Sequence, residues 1–533
     1  MRAGQSTRSR RGSRFRRLSD STQHQSLSGG SIGSRLLRSA ASNYALLVVR
    51  LVVGVLLSRI LFLNLPRIDY GFWVLLWSVF GYTLLLDFGF GVAMAKYVSQ
   101  ATMNGDWKEL NRRLNTVFFI SCAMGLLVAV ATIACLPLVP TLLRSLGVSA
   151  TAQYQIAFLI FGIGRALITP LGGFAEVLRG LDRIPLRNAI RAISLLSDFA
   201  LLAWIVHLEL GLVYMAAASL SVALLSNVGI ALFIRRLVPE FRLSWRLFDR
   251  RLLKETLSFS IFAYVVTIST LIILRTDLLV ISVFLSLALV ASYHVVWRLS
   301  EIFGQLSMQL LEALGPVAAA LFVSRGHDQL RETLFNSGRA IACLGTFFFV
   351  PLFVYLKPVL KIWLDLEEAD AQLCGLLLLT STYIHVVFKS TTSQVLLMCQ
   401  KERVLASATV TEAVLNLGLS IAFCVLTDLG IVGVALGTLI PVATLSLFVY
   451  IPLTCRFSSI SVFAFLRGTL GGTVLPALLA AGTYYGCRIA APPENLVGLV
   501  LNAVPGAVVF VTSFLYLGLR PDERRRAWQY FSQ

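Results

Sequence analysis

The chain comprises 533 residues, 57% hydrophobic and only 14% charged, with a formal net charge of +19. With a mean hydropathy of +0.79, this balance excludes an ordinary soluble enzyme. The positive charge sits in short loops and one tail, which argues against nucleic acid as a partner.

Met1 to Ala41 is rich in Ser, Gly and Arg, with a single acid, Asp20. Its apolar content is too low to fold alone, so residues 1–41 are expected to form a disordered cytoplasmic tail. Its arginines would rest on anionic membrane lipid, at up to ~1 kcal/mol per basic residue near the surface. No small-residue cleavage site follows the first apolar stretch, so the pattern is not that of a signal peptide.

A membrane-spanning helix needs about 20 mainly apolar residues, each adding ~1.5 Å of rise. Fourteen stretches qualify, at roughly 42–63, 72–95, 114–138, 154–178, 188–209, 211–234, 257–284, 289–322, 336–356, 372–398, 403–426, 429–453, 469–490 and 496–519. Most of the 46 Lys and Arg fall in the two termini and in the loops after even-numbered spans. The other side holds only Arg67, Arg144, Lys357, Lys361 and Arg488. Basic loops stay cytoplasmic, so both termini are expected inside. The longest loop, about Arg235 to Thr256, is far from domain size, so function falls to the membrane bundle. The cysteines include no C-x-x-C pair and the histidines show no ligand spacing; no metal, redox or cofactor chemistry is expected.

The basic loop from Arg235 to Lys254 divides the first twelve spans into halves that echo one another. Phe62-Leu63-Asn64-Leu65 and then Tyr70 join spans 1 and 2; Phe284-Leu285-Ser286-Leu287 and then Tyr293 join spans 7 and 8. Both copies leave the cytoplasm, turn outside and return, so the repeat is parallel, with two lobes about an axis along the membrane normal and a cavity between them. The expected organisation is a tail (1–41), an N-lobe of six spans (42–236), a basic linker (237–256), a C-lobe of six spans (257–455), two further spans (456–519) and a carboxyl-terminal tail (520–533). The fold class is all-α membrane protein.

Span 2 ends Leu84-Leu85-Leu86-Asp87-Phe88-Gly89-Phe90-Gly91, leading to Lys96-Tyr97-Val98. With Tyr70-Gly71-Phe72-Trp73, the Phe284–Tyr293 junction and Arg298-Leu299, this resembles bacterial polysaccharide flippases of the multidrug/oligosaccharidyl-lipid/polysaccharide exporter superfamily. The resemblance runs from about residue 40 to 455. It implies a non-enzymatic transporter of the bacterial inner membrane that moves an undecaprenyl-diphosphate-linked oligosaccharide across the bilayer for polysaccharide export, with a polysaccharide polymerase as a partner. Two spans beyond the twelve-helix core are also found in the lipid II flippases of that superfamily, where the extra pair is associated with the lipid tail.

Charges inside spans are the residues most expensive to place, at about +2.5 to +3.5 kcal/mol each on translocon scales, and they usually face a bundle interior or wet cavity. The cations are Arg50, Arg59, Arg165, Arg191, Arg275, Arg298 and Lys389; the acids are Asp87, Glu176, Asp198, Asp277, Glu301, Glu312 and Glu412. Their numbers tie, but nearly all the cations are Arg, whose planar fork matches phosphate oxygens. Arg50, Arg165 and Arg298 are therefore the first candidates for pyrophosphate contacts, with Arg275 and Lys389 beside them. Asp87, Asp198 and Glu301 are candidates for orienting those cations or carrying a coupling ion. A neutralised structural pair is the alternative for each set: Arg50 with Asp87, Arg165 with Asp198 and Lys389 with Glu412 lie at similar depth, and Arg298 and Glu301 are three apart on one helix face. Arg59 and Arg191 lie near enough to span ends to snorkel. Gly162, Gly164, Pro170, Gly172 and Gly173 in span 4, and Gly304 and Gly315-Pro316 in span 8, would serve as hinges or as close-packing positions.

Three functions compete: a flippase for lipid-linked oligosaccharide or lipid II working by alternating access, a cation-coupled multidrug exporter, and a membrane-embedded glycosyl- or acyltransferase. The last would carry a His or paired-carboxylate constellation in a long polar loop, and the chain offers none.

Overall fold

The computed structural model describes residues 29–87, 90–149, 152–238, 241–250, 261–325, 327–398, 401–519 and 524. The end of the bundle that carries residue 29 is called the inner end below.

In the first half the helices are α1 (Gly29–Asn64), α2 (Arg67–Gly81), α3 (Phe90–Asn104), α4 (Trp107–Cys135), α5 (Leu138–Ser145), α6 (Ala152–Gly172), α7 (Phe174–Gly180), α8 (Ile184–His207) and α9 (Leu212–Leu237). The second half has α10 (Ile261–Phe284), α11 (Leu287–Arg325), α12 (His327–Leu364), α13 (Ala369–Ile384), α14 (Thr391–Met398), α15 (Glu402–Leu426), α16 (Gly430–Leu445) and α17 (Ile451–Phe457). Then come α18 (Val462–Leu470), α19 (Val474–Ala490) and α20 (Leu496–Ser513).

Local chemistry sets the boundaries. Pro66 cannot continue α1 and starts α2 as its N-cap. Asp106 caps α4 by accepting the Glu109 N–H at 3.1 Å. The second expected span breaks early: α2 tightens into a 3₁₀ turn over Tyr82–Asp87, and a separate helix starts at Phe90. The first helix starts at Gly29, well inside the expected tail, because propagation from an existing helix adds one hydrogen bond for each residue fixed.

Twelve helices among the described residues are long and apolar enough to cross a membrane, or thirteen if α18 and α19, which meet at 44°, form one span. Fourteen were expected. The long helix α11 occupies the place of the eighth span, and its side chains beyond Met308 lie outside the described set, as do Glu312, Gly315 and Pro316.

The halves repeat one packing scheme. In the first, α1 packs on α8, α4 on α6, α6 on α9, and α8 on α9. In the second, α10 packs on α15, α12 on α13, α13 on α16, and α15 on α16. Each set joins the same ordinal spans of its half. The two halves meet mainly through α2 against α10 and α11. Helices α18, α19 and α20 lie against α12.

The lobes are sealed at the outer end. Gly71 lets α2 approach the start of α11 so closely that an added Cβ would come 1.8 Å from the Leu287 carbonyl oxygen. Beside it, Tyr70 Oη and His294 Nδ1 are hydrogen-bonded at 2.9 Å. Deeper in, Ser78 Oγ donates to the Arg275 carbonyl at 2.7 Å, and the Tyr82 and Thr276 hydroxyls pair at 2.8 Å. Toward the inner end the basic linker is tied to α4: Asn115 donates to the Arg242 carbonyl at 2.8 Å, and Arg112 pairs with Asp249 at 2.7 Å.

A candidate substrate chamber between the lobes

A cavity of about 300 Å³ lies where α1, α2, α8, α10 and α11 converge. Arg50 and Gly54 of α1 line it, with Asp198 of α8, Arg275 of α10, and His294, Arg298 and Glu301 of α11. Trp73 and Trp77 of α2 and Trp297 of α11 supply flat aromatic walls. Three arginines thus face two carboxylates, and both lobes contribute cations.

The carboxylates are engaged. Glu301 is ion-paired with Arg298 one turn away and accepts Gln305 Nε2 at 3.0 Å. Asp198 accepts the Ser219 hydroxyl at 2.7 Å. Arg298 Nε is buried and has no hydrogen-bond partner, so its guanidinium retains donor capacity beyond the Glu301 bond. A second cavity, of about 360 Å³, shares Arg50, Trp77, Leu195 and Asp198 with the chamber and runs into the N-lobe past Arg191, Ser219 and Asn227.

Five of the eight residues expected from the sequence at the site therefore come together: Arg50, Arg275, Arg298, Asp198 and Glu301. Arg165 does not join them. It donates to Thr83 Oγ1 at 3.2 Å and lines a small pocket of about 40 Å³ behind Trp77, between α6 and α9. Lys389 is also elsewhere, buried in the C-lobe and bonded to Glu412 at 2.8 Å, with the two side chains only 10% and 1% exposed. Both are cations within spans, and position along a span leaves the rotation of the helix open. The Asp87 side chain lies outside the described residues.

Glu176 and Arg59 have local partners. Glu176 is surrounded by Arg179, Arg187 and Arg191 at 3.1, 3.3 and 3.7 Å. Arg59 donates to the carbonyls of Ile362, at 2.8 Å, and Trp363 in the last turn of α12. Gly162 and Gly164 are packing positions, where a Cβ would strike Thr132 and Leu220, whereas a Cβ at Gly172 would meet open space. The same span does break between α6 and α7, after Pro170 and Gly172.

One polar cluster was not anticipated as a site. Asp277 is buried in the C-lobe, and its Oδ2 accepts the Tyr293 hydroxyl at 2.7 Å and the Thr438 hydroxyl at 2.8 Å. Asn416 donates to Thr438 Oγ1 at 3.0 Å. Asp277 Oδ1, Asn416 Oδ1 and the Ser420 hydroxyl are buried without hydrogen-bond partners. Unpaired buried acceptors around one carboxylate suit a proton or a small hard cation that takes oxygen ligands. No group of three His, Cys, Asp or Glu suited to a metal occurs among the described residues. The legible signal was the stripe Glu412, Asn416, Ser420 at four-residue spacing on one face of an apolar span.

No family model matches the chain, and no curated protein matches it. Solved structures do. An inward-facing multidrug resistance MATE family transporter of the MOP superfamily matches with a TM-score of 0.61 at 18% identity, over 79% of this chain and 99% of that one. The lipid II flippase MurJ in an inward closed conformation matches with a TM-score of 0.64 at 13% identity, over 89% and 97%. A MOP superfamily transporter from Pyrococcus furiosus, described as having a binding pocket of reverse polarity, matches with a TM-score of 0.52 at 17% identity, over 80% and 96%. The fold is that of the MOP superfamily transporters. The matched proteins are membrane transporters and flippases rather than enzymes, and the expected two-lobed multi-pass helical architecture is the MOP fold.

Proposed function

We propose that this protein is a flippase that carries a diphosphate-linked oligosaccharide lipid across the bacterial inner membrane by alternating access, with both termini cytoplasmic. The observation that carries this reading is the convergence of Arg50 from one lobe with Arg275 and Arg298 from the other on a single inter-lobe cavity. Cations from both lobes hold a diphosphate only while the lobes stay in register, so lobe movement and substrate release are coupled. The aromatic walls offer flat apolar faces to sugar rings, and the prenyl chain stays in the hydrocarbon. A volume of about 300 Å³ admits the diphosphate and little more, so the lobes separate further to take the whole head group.

The contacts at Gly71, Tyr70 and Ser78 form the outer gate in this state. The basic tail supports attachment to anionic lipid at the inner face, and a polysaccharide polymerase is the natural recipient of the product. Orientation and coupling by Asp198 and Glu301 belong to the same reading.

A cationic drug would require acids in excess, whereas three arginines face two carboxylates in the chamber and Glu301 is already ion-paired with Arg298. This favours an anionic substrate over the multidrug reading. A lipid II substrate is the second reading, supported by the coverage of 89% against MurJ, compared with 79% against the MATE transporter.

The decisive experiment measures polymer export in cells carrying Arg298→Ala or Arg50→Ala. Export is expected to stop while the protein still inserts and accumulates. Wild-type export from both variants overturns the reading, and loss of peptidoglycan synthesis without loss of polymer moves the substrate to lipid II.

A further inference from the structure

Basic residues are scarce at the outer end of the bundle, yet three of the five there, Lys357, Lys361 and Arg488, line one large pocket together with Arg59. The pocket has a volume of about 1160 Å³ and lies between the ends of α1 and α12 and the loop joining α19 to α20. Two of its four cations are fixed by backbone. Pro358 has no N–H, so the Val354 carbonyl loses its helical partner, and Arg488 Nη1 donates to that carbonyl at 2.7 Å. Arg59 donates to the Ile362 and Trp363 carbonyls, which as last-turn carbonyls of α12 lack helical partners. Each guanidinium keeps further donors for a ligand.

Lys357 and Lys361 are four residues apart on one face of α12, a spacing at which like charges repel. Lys361 is paired at 2.5 Å with Glu367, yet its side chain remains 62% exposed. The lining carboxylates are Asp365 and Glu494, so cations remain in excess. Beside these cations the lining is apolar and exposed, with Leu63, Leu496 and Val497 exposed by 44%, 60% and 68%. A cationic lining beside exposed apolar side chains, set at the ends of spans where head groups lie, fits an anion attached to a lipid better than a free one.

We propose that this pocket docks the diphosphate head group of a prenyl lipid at the outer face, separately from the central chamber. The lysines and arginines hold the phosphates, and the first part of the chain lies against the exposed apolar side chains. This gives the helices beyond the twelve-helix core a role at the exit of the transport route. The identity of the lipid and the place at the exit of the route rest on the flippase reading; the cation cluster itself does not.

The test uses full-length protein in nanodiscs of phosphatidylcholine, with Arg50→Gln and Arg298→Gln already in place to silence the chamber. Binding of a polyprenyl diphosphate is followed by native mass spectrometry, with phosphatidylglycerol and inorganic pyrophosphate as competing probes. Adding Lys357→Gln and Lys361→Gln is expected to weaken polyprenyl diphosphate binding about 30-fold, the combined effect of two basic groups near a lipid surface. Affinity unchanged by the lysine substitutions overturns the proposal. Equal binding of pyrophosphate makes this a free-anion site, and equal binding of phosphatidylglycerol makes it a general anionic-lipid site; either result also overturns it. Failure of the flippase reading looks different: Arg298→Ala cells would export polymer normally while the lysine-dependent binding persisted. Melting curves of the lysine variant, which alters exposed side chains, confirm that it is folded.

Discussion

Arg298 of the C-lobe reaches across the chamber to Gly54 of α1: a Cβ added at Gly54 would sit 1.9 Å from Arg298 Nη2. The atom in the way is the end of a flexible side chain, so the clash is relieved by moving the guanidinium rather than the helices. Gly54→Ala is therefore expected to leave folding intact while displacing Arg298, and to lower transport about tenfold through misplacement of one charge-assisted contact. Polymer export and melting temperature, measured together, check this. A large loss of stability, or full export, would break the link between the two residues.

Gly71 presents the opposite case. Its neighbour is the Leu287 backbone carbonyl, which has nowhere to go. Gly71→Ala is expected to push α2 off α11 and open the outer gate, at a cost on the order of 1–3 kcal/mol for overpacking. Cysteines placed in the chamber should then become reactive to impermeant thiol reagents added from outside. Tyr70→Phe, which removes the hydroxyl bonded to His294 and leaves the ring in place, is expected to shift the same accessibility by a smaller step, about 1 kcal/mol. Unchanged labelling in Gly71→Ala would mean that this contact is not the gate.

Much of this organisation was legible in the sequence because bilayer thickness imposes a length and charge inside it is expensive. The spans follow from those two facts, and the two-lobed repeat from the echo of Phe62–Tyr70 in Phe284–Tyr293. Arg50, Arg275, Arg298, Asp198 and Glu301 were identified as chamber candidates for the same reason, and the structure gathers them. Arg165 and Lys389 were chosen on equal grounds and lie elsewhere, since position along a span fixes depth but leaves the facing direction open. Contacts such as Gly71 with Leu287, or Arg59 with the end of α12, depend on how helices far apart in sequence approach one another. The 3₁₀ turn at Tyr82–Asp87 shortened a span that apolarity alone extends to residue 95.

The Asp277 cluster makes a separate claim about coupling. Asn can replace Asp277 with nearly the same shape and still accept from Tyr293 and Thr438, but it carries no charge for a cation or proton. Wild-type protein is expected to melt higher in sodium than in choline at equal ionic strength, or to change its melting point between pH 6 and 8. Asp277→Asn is expected to lose whichever response exists. Identical sodium and pH responses in the two proteins would show that the unpaired oxygens of Asp277, Asn416 and Ser420 bind neither ion.

Lys389 and Glu412 test whether an intramembrane charge is there for transport or for folding. They are bonded at 2.8 Å with almost no solvent contact, and the Lys389 ammonium also lies 5.8 Å from the Tyr450 ring centre. The lysine sits in a π-helical turn, His385–Ser390, and the tyrosine ends another, Ser446–Tyr450; such widened turns re-aim side chains within a helix. Removing one partner strands the other in a dry interior, at a cost of about 3–5 kcal/mol. Glu412→Ala should thus fail to accumulate, whereas Lys389→Met with Glu412→Leu should restore the melting temperature, because replacing both charges leaves none unpaired. If the double variant folds and still exports polymer, the pair is architectural. If it folds and does not export, Lys389 takes part in transport even though it lies outside the chamber.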